Sequence, residues 1–141
     1  MIWKNKPTIE ALNMLSANTI NEALGIEFTE AGDDYLTARM PVDKRTKQPM
    51  GLLHVGASVV LAETLGSVAS TLLIEDISKE SAVGLEINAN HLRAVKSGYV
   101  YGTVTAIKIG RRTHIWQIRI RNEEGKDSCI SRLTCMIVQH G

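Results

Sequence analysis

Net charge is nearly absent from this chain. At +1, it lacks the broad basic or acidic balance that would point to nucleic acid or an anionic membrane as partner. No apolar run reaches membrane-spanning length free of charge, and the first residues, "MIWKNKPTIE", lack the apolar core of a signal peptide. The expectation is a soluble, cytoplasmic protein. Cysteine is scarce, with only Cys129 and Cys135 present. Both fall in one strand-like segment, where their separation is ~20 Å at ~3.3 Å per residue. A disulfide needs Cα atoms within about 7 Å, so the two cannot bridge each other in one chain. Neither has companions at metal-ligand spacing, so no metal site is expected. Internal repeats, linkers and low-complexity tracts are missing as well.

What is present suits one domain over 1–141. A chain of 141 residues, 44% hydrophobic and 22% charged, is globular in composition and long enough for a proper core. Thr8 reads as a helix N-cap, with Ile9, Leu12 and Leu15 at helical spacing after it. A second short helix covers about Thr19 to Leu24 and stops at Gly25. Ile26 to Ala31 and Tyr35 to Val42 read as strands joined by a "GDD" turn, followed by the polar loop "DKRTKQPM". Val55 to about Leu73 is the main helix, with Ala57, Leu61, Leu65, Val68 and Leu72 on one face and Ala62 and Ala69 beside it. The opposite side carries Gly56, Glu63, Gly66, Ser67 and Ser70. After the helix the period changes to two. Ser81 to Arg93, Tyr99 to Ile109, Thr113 to Arg121 and Asp127 to Val138 are rich in β-formers, punctuated by "KSG", "GRR" and "NEEGK". Short connections favour antiparallel pairing. One long helix on one face of a curved antiparallel sheet is an α+β layout.

Within "MGLLHVGASVVLAETLGS", residues 50–67, Glu63 is the one carboxylate in an apolar run. It can simply face water, as glutamates mostly do. Two details argue for more. A solvated helix face normally carries several charged residues, and this one carries none besides Glu63. Its neighbours Gly56, Gly66, Ser67, Ser70, Val59 and Val60 include small residues that let a ligand or second subunit approach. A carboxylate held there can serve as base or nucleophile. Ser67, four residues on, is within hydrogen-bond reach of it. His54 stands at the helix start, where it can be a structural cap. The first-turn amides there are free donors that can stabilise charge developing on a carbonyl oxygen. From Val55 to Glu63 is about 12 Å at ~1.5 Å per residue. If both act on one atom, two copies of the helix must meet.

"KQPMGLLHVGASVVLAETLGS" resembles the signature of hotdog-fold acyl-CoA thioesterases of the PaaI-like type. "MPVDKRTKQP", "GLEINANHLR" and "WQIRI…SRLT" are similar to the subgroup that includes hydrolases of 1,4-dihydroxy-2-naphthoyl-CoA in menaquinone biosynthesis. The resemblance covers nearly the whole chain. It implies a long helix wrapped by an antiparallel sheet, homodimers often paired into homotetramers, and hydrolysis of CoA thioesters without a metal or organic cofactor.

Carried over by position, Glu63 is implied as the catalytic carboxylate, activating water or attacking the thioester carbonyl. Gln48 and His54 would hold the thioester from the partner subunit, the Val55 amide would polarise its carbonyl, and Ser67 would orient the glutamate or its water. Gly84 and the segment His91, Leu92, Arg93 and Ala94 resemble the CoA-binding region. So does Lys108, Ile109, Gly110, Arg111, Arg112 and Thr113. The chemistry agrees independently, since Arg93, Lys108, Arg111 and Arg112 can pair with phosphates, although "GRR" also reads as a solvated basic turn. The usual "HGG" of the family is "HVG" here. A β-branched residue disfavours positive φ, so Val55 is expected to cost activity if the family glycine uses that conformation or lets the acyl group approach closely. Three functions follow: a hydrolase of aromatic or bulky acyl-CoA, a broad-specificity hydrolase of acyl-CoA or acyl-carrier thioesters, and a non-catalytic acyl-CoA binding protein.

Overall fold

The computed structural model describes residues 1–140. Two short helices open the chain, α1 (Ile9–Met14) and α2 (Ile20–Leu24). Each starts at a threonine whose hydroxyl accepts from an otherwise free amide, Thr8 from Ala11 and Thr19 from Asn21. Six strands follow with one long helix among them: β1 (Glu27–Ala31), β2 (Tyr35–Pro41), α3 (Val55–Leu72), β3 (Glu80–His91), β4 (Tyr99–Ile109), β5 (Thr113–Arg121) and β6 (Asp127–Gln139).

The strands form one sheet in the order β1-β2-β4-β5-β6-β3, and each neighbouring pair is antiparallel. Antiparallel pairing therefore holds, but β3 and β4, consecutive in sequence, are not neighbours. The stretch from 92 to 98 carries the chain from the β3 edge back to β2. Val95 is buried along it, and its carbonyl accepts the Leu53 amide at 2.8 Å. The sheet curls around α3, which is the hotdog layout.

By length and apolar content α3 would suit a membrane span; here it packs on the sheet. Its buried residues are Ala57, Ser58, Leu61, Ala62, Leu65, Gly66, Ala69 and Ser70, while Val68 and Leu72 are only partly covered. The buried face is thus rotated from the one the periodicity predicts, and Gly66 and Ser70 belong to the core. The helix is apolar over so much of its surface that 3.6-residue periodicity locates the buried face only loosely; close approach settles it. A Cβ at Gly66 would lie 2.5 Å from Leu133 Cδ2, so only glycine lets β6 come this near. Ser70 is fully buried, and its Oγ accepts the Trp116 indole N–H at 2.7 Å. It also lies 2.9 Å from His114 Nδ1. Burial pushes the His114 pKa down, which favours a neutral ring able to accept the Ser70 hydroxyl. Trp116 stacks on Trp3 with ring centroids 6.4 Å apart, tying the N-terminal segment to the core. Both cysteines are buried and unpaired.

Candidate active site

The loop before α3 is folded on itself. Lys47 bridges Leu53, the His54 amide donates to Thr46 O at 2.8 Å, and the Gln48 side-chain oxygen accepts the Met50 amide. His54 is the N-cap of α3: its Nδ1 accepts the Gly56 amide at 2.8 Å. The structural role weighed from sequence is therefore real. It also fixes the proton of a neutral ring on Nε2, leaving that N–H to donate to a ligand.

Val55 is the first residue of α3, and its amide donates to no group among the described residues. Asn18 is the one non-glycine with positive φ among them. The backbone strain expected at Val55 does not arise, because a helical φ is open to valine. Its side chain is 51% exposed, so it is not forced into the core either. Val55→Gly is accordingly expected to lower thermal stability slightly, by up to ~1 kcal/mol from the added freedom of glycine when unfolded. A melting curve beside the unaltered protein checks this; a clear rise would show hidden strain.

Glu63 lies eight residues further along α3, on the half-exposed stripe that also holds Gly56 and Ser67. Its carboxylate makes no hydrogen bond or ion pair among the described residues. It rests against β3: a Cβ built on Gly84 would come 2.8 Å from Glu63 Oε1. The resemblance placed Gly84 with the CoA-binding segments; in the structure it lies against the carboxylate. Beneath lies Cys135, whose thiol pKa is pushed up, mainly by burial and further by the negative charge of Glu63. Ser67 does not bond Glu63 in this chain. Its carbonyl accepts the Thr71 hydroxyl at 2.9 Å, and the Ser67 and Ser70 hydroxyls partly offset the rise of the Cys135 pKa.

The two basic segments do not meet within one chain. His91 pairs with Cys129, and Cys129 with Ile120, at one end of the sheet; Val83 and Thr113 both pair with Met136 at the other. Val83 and His91 are eight residues apart on one strand, ~26 Å at ~3.3 Å per residue. Arg93 is tied to its own end by a 2.8 Å bond to Asp127 O, and Leu92 and Ala94 stand exposed beside it. At the far end Lys108 follows a β-bulge and Ile109 closes β4. Gly110 turns the hairpin, its amide donating to Thr113 O at 2.9 Å. Arg111 and Arg112 are exposed there and line a groove of about 420 Å³ with Glu80 and the β6 segment 136–139. Sequence reasoning grouped these cations on one nucleotide; one chain keeps them apart, because two ends of a long strand cannot fold back together.

Sequence reasoning also missed the polar cluster of Ser70, His114, Trp116 and Cys135 under the helix. Its signal was faint: a serine on a helix face taken to be outward, and a histidine within an alternating strand.

The comparisons with known proteins agree with this geometry. The model of the Thioesterase superfamily matches residues 50–129. The chain is 52% identical to 1,4-dihydroxy-2-naphthoyl-CoA hydrolase of Escherichia coli over 98% of its length and 100% of that protein's. It is 51% identical to proofreading thioesterase EntH of Cronobacter turicensis, covering 98% of this chain and 99% of the other. The crystal structure of a thioesterase from Haemophilus influenzae superposes with a TM-score of 0.95 at 50% identity, covering 99% of this chain and 96% of that one. A sheet curled around an apolar helix, a carboxylate left unpaired midway along it, and half-identity to such proteins over almost every residue lead to one conclusion: this chain belongs to the thioesterase superfamily and is a thioester hydrolase.

Proposed function

We propose that the protein cleaves CoA thioesters of bulky, aromatic acids such as 1,4-dihydroxy-2-naphthoyl-CoA, in sites shared between two subunits. The observation that carries this is the unpartnered Glu63 carboxylate on a half-exposed helix stripe, about 12 Å along α3 from the free Val55 amide at ~1.5 Å per residue. On a half-exposed stripe solvent can hold its charge, so the carboxylate is left free to meet a ligand. The free amide is suited to an oxyanion, but one helix cannot bring both groups to one carbonyl.

The sheet edge supplies a way to join two helices. β3 is long, ends the sheet, and exposes Val83 and Leu85, with Leu92 exposed just beyond it. Such an unprotected edge favours pairing with a second copy. Antiparallel pairing about its middle sets His91 of one copy beside Glu80 of the other. That brings Arg93 of one subunit toward the Arg111–Arg112 hairpin of its neighbour, and the neighbour's helix toward Glu63.

In such a site the Val55 amide and the Nε2–H of His54 polarise the thioester carbonyl. Glu63 of the other subunit takes a proton from water as its oxygen bonds the carbonyl carbon. Collapse expels the CoA thiolate, which recovers the proton, leaving free acid and CoA. Alternatively the carboxylate attacks directly, and water then hydrolyses the resulting anhydride. Single turnover in ¹⁸O-water identifies the anhydride route when water attacks its glutamyl carbonyl, since the label then enters Glu63. Trapping the anhydride with hydroxylamine covers attack at the acyl carbonyl, which labels only the product acid as direct hydrolysis does.

The acyl group rests on the name of the Escherichia coli relative. A broad-specificity reading is favoured by one observation: a relative of almost equal identity is named a proofreading thioesterase. A panel of CoA and acyl-carrier thioesters decides between them; a preference of tenfold or less in kcat/KM for the naphthoyl ester would favour the broad reading. The absence of strain at Val55 removes one ground for a non-catalytic binder; the other, crowding of the acyl group by its methyls, is tested by the turnover of Val55→Gly.

The nucleotide end has its own test. Changing Arg111 and Arg112 together to glutamine is expected to raise KM for CoA esters several-fold while kcat changes much less, because they would touch the remote end of the substrate. The effect should shrink as salt rises. An equal loss with thioesters lacking the nucleotide would remove the pair from that role.

A further inference from the structure

Gly84 lies where the β3–β6 ladder slips. Gly84 pairs with Cys135 and Glu86 with Thr134, leaving Leu85 over as a bulge. Its backbone does not require glycine, since Gly25, Gly51, Gly98 and Gly125 are the glycines with positive φ among the described residues. What glycine provides here is space, and one group occupies it. A Cβ on Gly84 would meet Glu63 Oε1 at 2.8 Å and Glu63 Cδ at 3.6 Å; the next nearest atom, Leu133 Cδ1, is at 3.9 Å.

We propose that Gly84 is a positioning residue for the hydrolysis: the missing side chain on β3 leaves the seat in which the Glu63 carboxylate rests, and so sets its reach toward the thioester. This rests on the reading of Glu63 as the reacting carboxylate. No hydrogen bond or ion pair to the described residues holds that carboxylate, so the space on the strand side bounds where it can rest. Non-bonded carbon and oxygen settle near ~3.5 Å, so a methyl at Gly84 displaces Oε1 by on the order of 0.7 Å or turns the carboxyl group. The displaced atom is the free end of a flexible side chain, so folding is hardly affected. The reaction is affected, because an error near 1 Å in a reacting group can cost about 10²-fold.

Gly84→Ala is therefore expected to lower kcat roughly 10- to 100-fold with KM nearly unchanged, and with melting temperature and light-scattering mass as in the unaltered protein. Were Gly84 a contact for CoA, KM would rise instead and kcat would hold, which overturns the proposal. So would a loss that comes with altered assembly or melting. Combining the change with Glu63→Gln tests the route of action: a residue acting only through the carboxylate has nothing left to displace, so the double variant should match Glu63→Gln alone. A further loss there overturns the proposal. If Glu63→Gln is inactive and Gly84→Ala normal, this inference alone fails. If Glu63→Gln keeps full turnover, the reading of Glu63 fails and this inference with it.

Discussion

Glu63→Gln is expected to abolish nearly all turnover while leaving the fold intact. Glutamine keeps the shape of the side chain and removes its charge and its capacity to accept a proton. If Glu63 is the base, no other carboxylate lies on α3 to replace it. Loss of a principal acid–base group costs ~10² to 10⁴-fold, and loss of a nucleophile costs at least as much. Stability should be unchanged or slightly raised, because the carboxylate forms no ion pair or hydrogen bond among the described residues and rests near a buried thiol. Steady-state release of CoA and a thermal melt measure the two quantities separately. Turnover within a few-fold of the unaltered protein would end the catalytic assignment. Low turnover with a lowered melting temperature would point to a structural role.

Two inactive variants should restore each other when assembled together. Glu63→Gln lacks the carboxylate; Gln48→Ala lacks the group that would hold the thioester from the other subunit. In the proposed two-fold dimer each site would take Glu63 from one chain and Gln48 from its partner. A heterodimer of the two variants then has one site with both defects and one with neither. Co-expressed with different tags and purified through both, it should show about half the turnover of the unaltered dimer, against near zero for either parent. A site built within one chain predicts no rescue, since every chain would carry one defect. Gln48→Ala also loses the side-chain bond to the Met50 amide, which closes the loop locally. The melting temperature of the parent variant therefore has to be followed alongside. A heterodimer as inactive as its parents would overturn the shared site.

Much of this was legible in the chain because it is local. The alternation in 81–93, 99–109, 113–121 and 127–138 reports strands directly, and the observed bounds differ by at most two residues. Thr8 and Thr19 mark helix starts through a hydroxyl that must find an amide within a few residues. Glu63 stands out because its neighbours are apolar, and the resemblance of residues 47–67 to known thioesterases gave it a role.

Tertiary structure decided what depends on distant partners. Strand order was open, because turns fix which strands are antiparallel but not which edge β3 joins. The buried face of α3 was only loosely located for a related reason: apolar residues cover so much of it that the face was settled by where a strand could come closest, at Gly66. The sequence singled out Glu63, but only the fold places Gly84 against it, from a strand some twenty residues on, at a spot where any side chain would push the carboxylate aside. Length along β3 likewise separated Arg93 from the Arg111–Arg112 hairpin, since an extended strand holds its two ends apart whatever charges they carry.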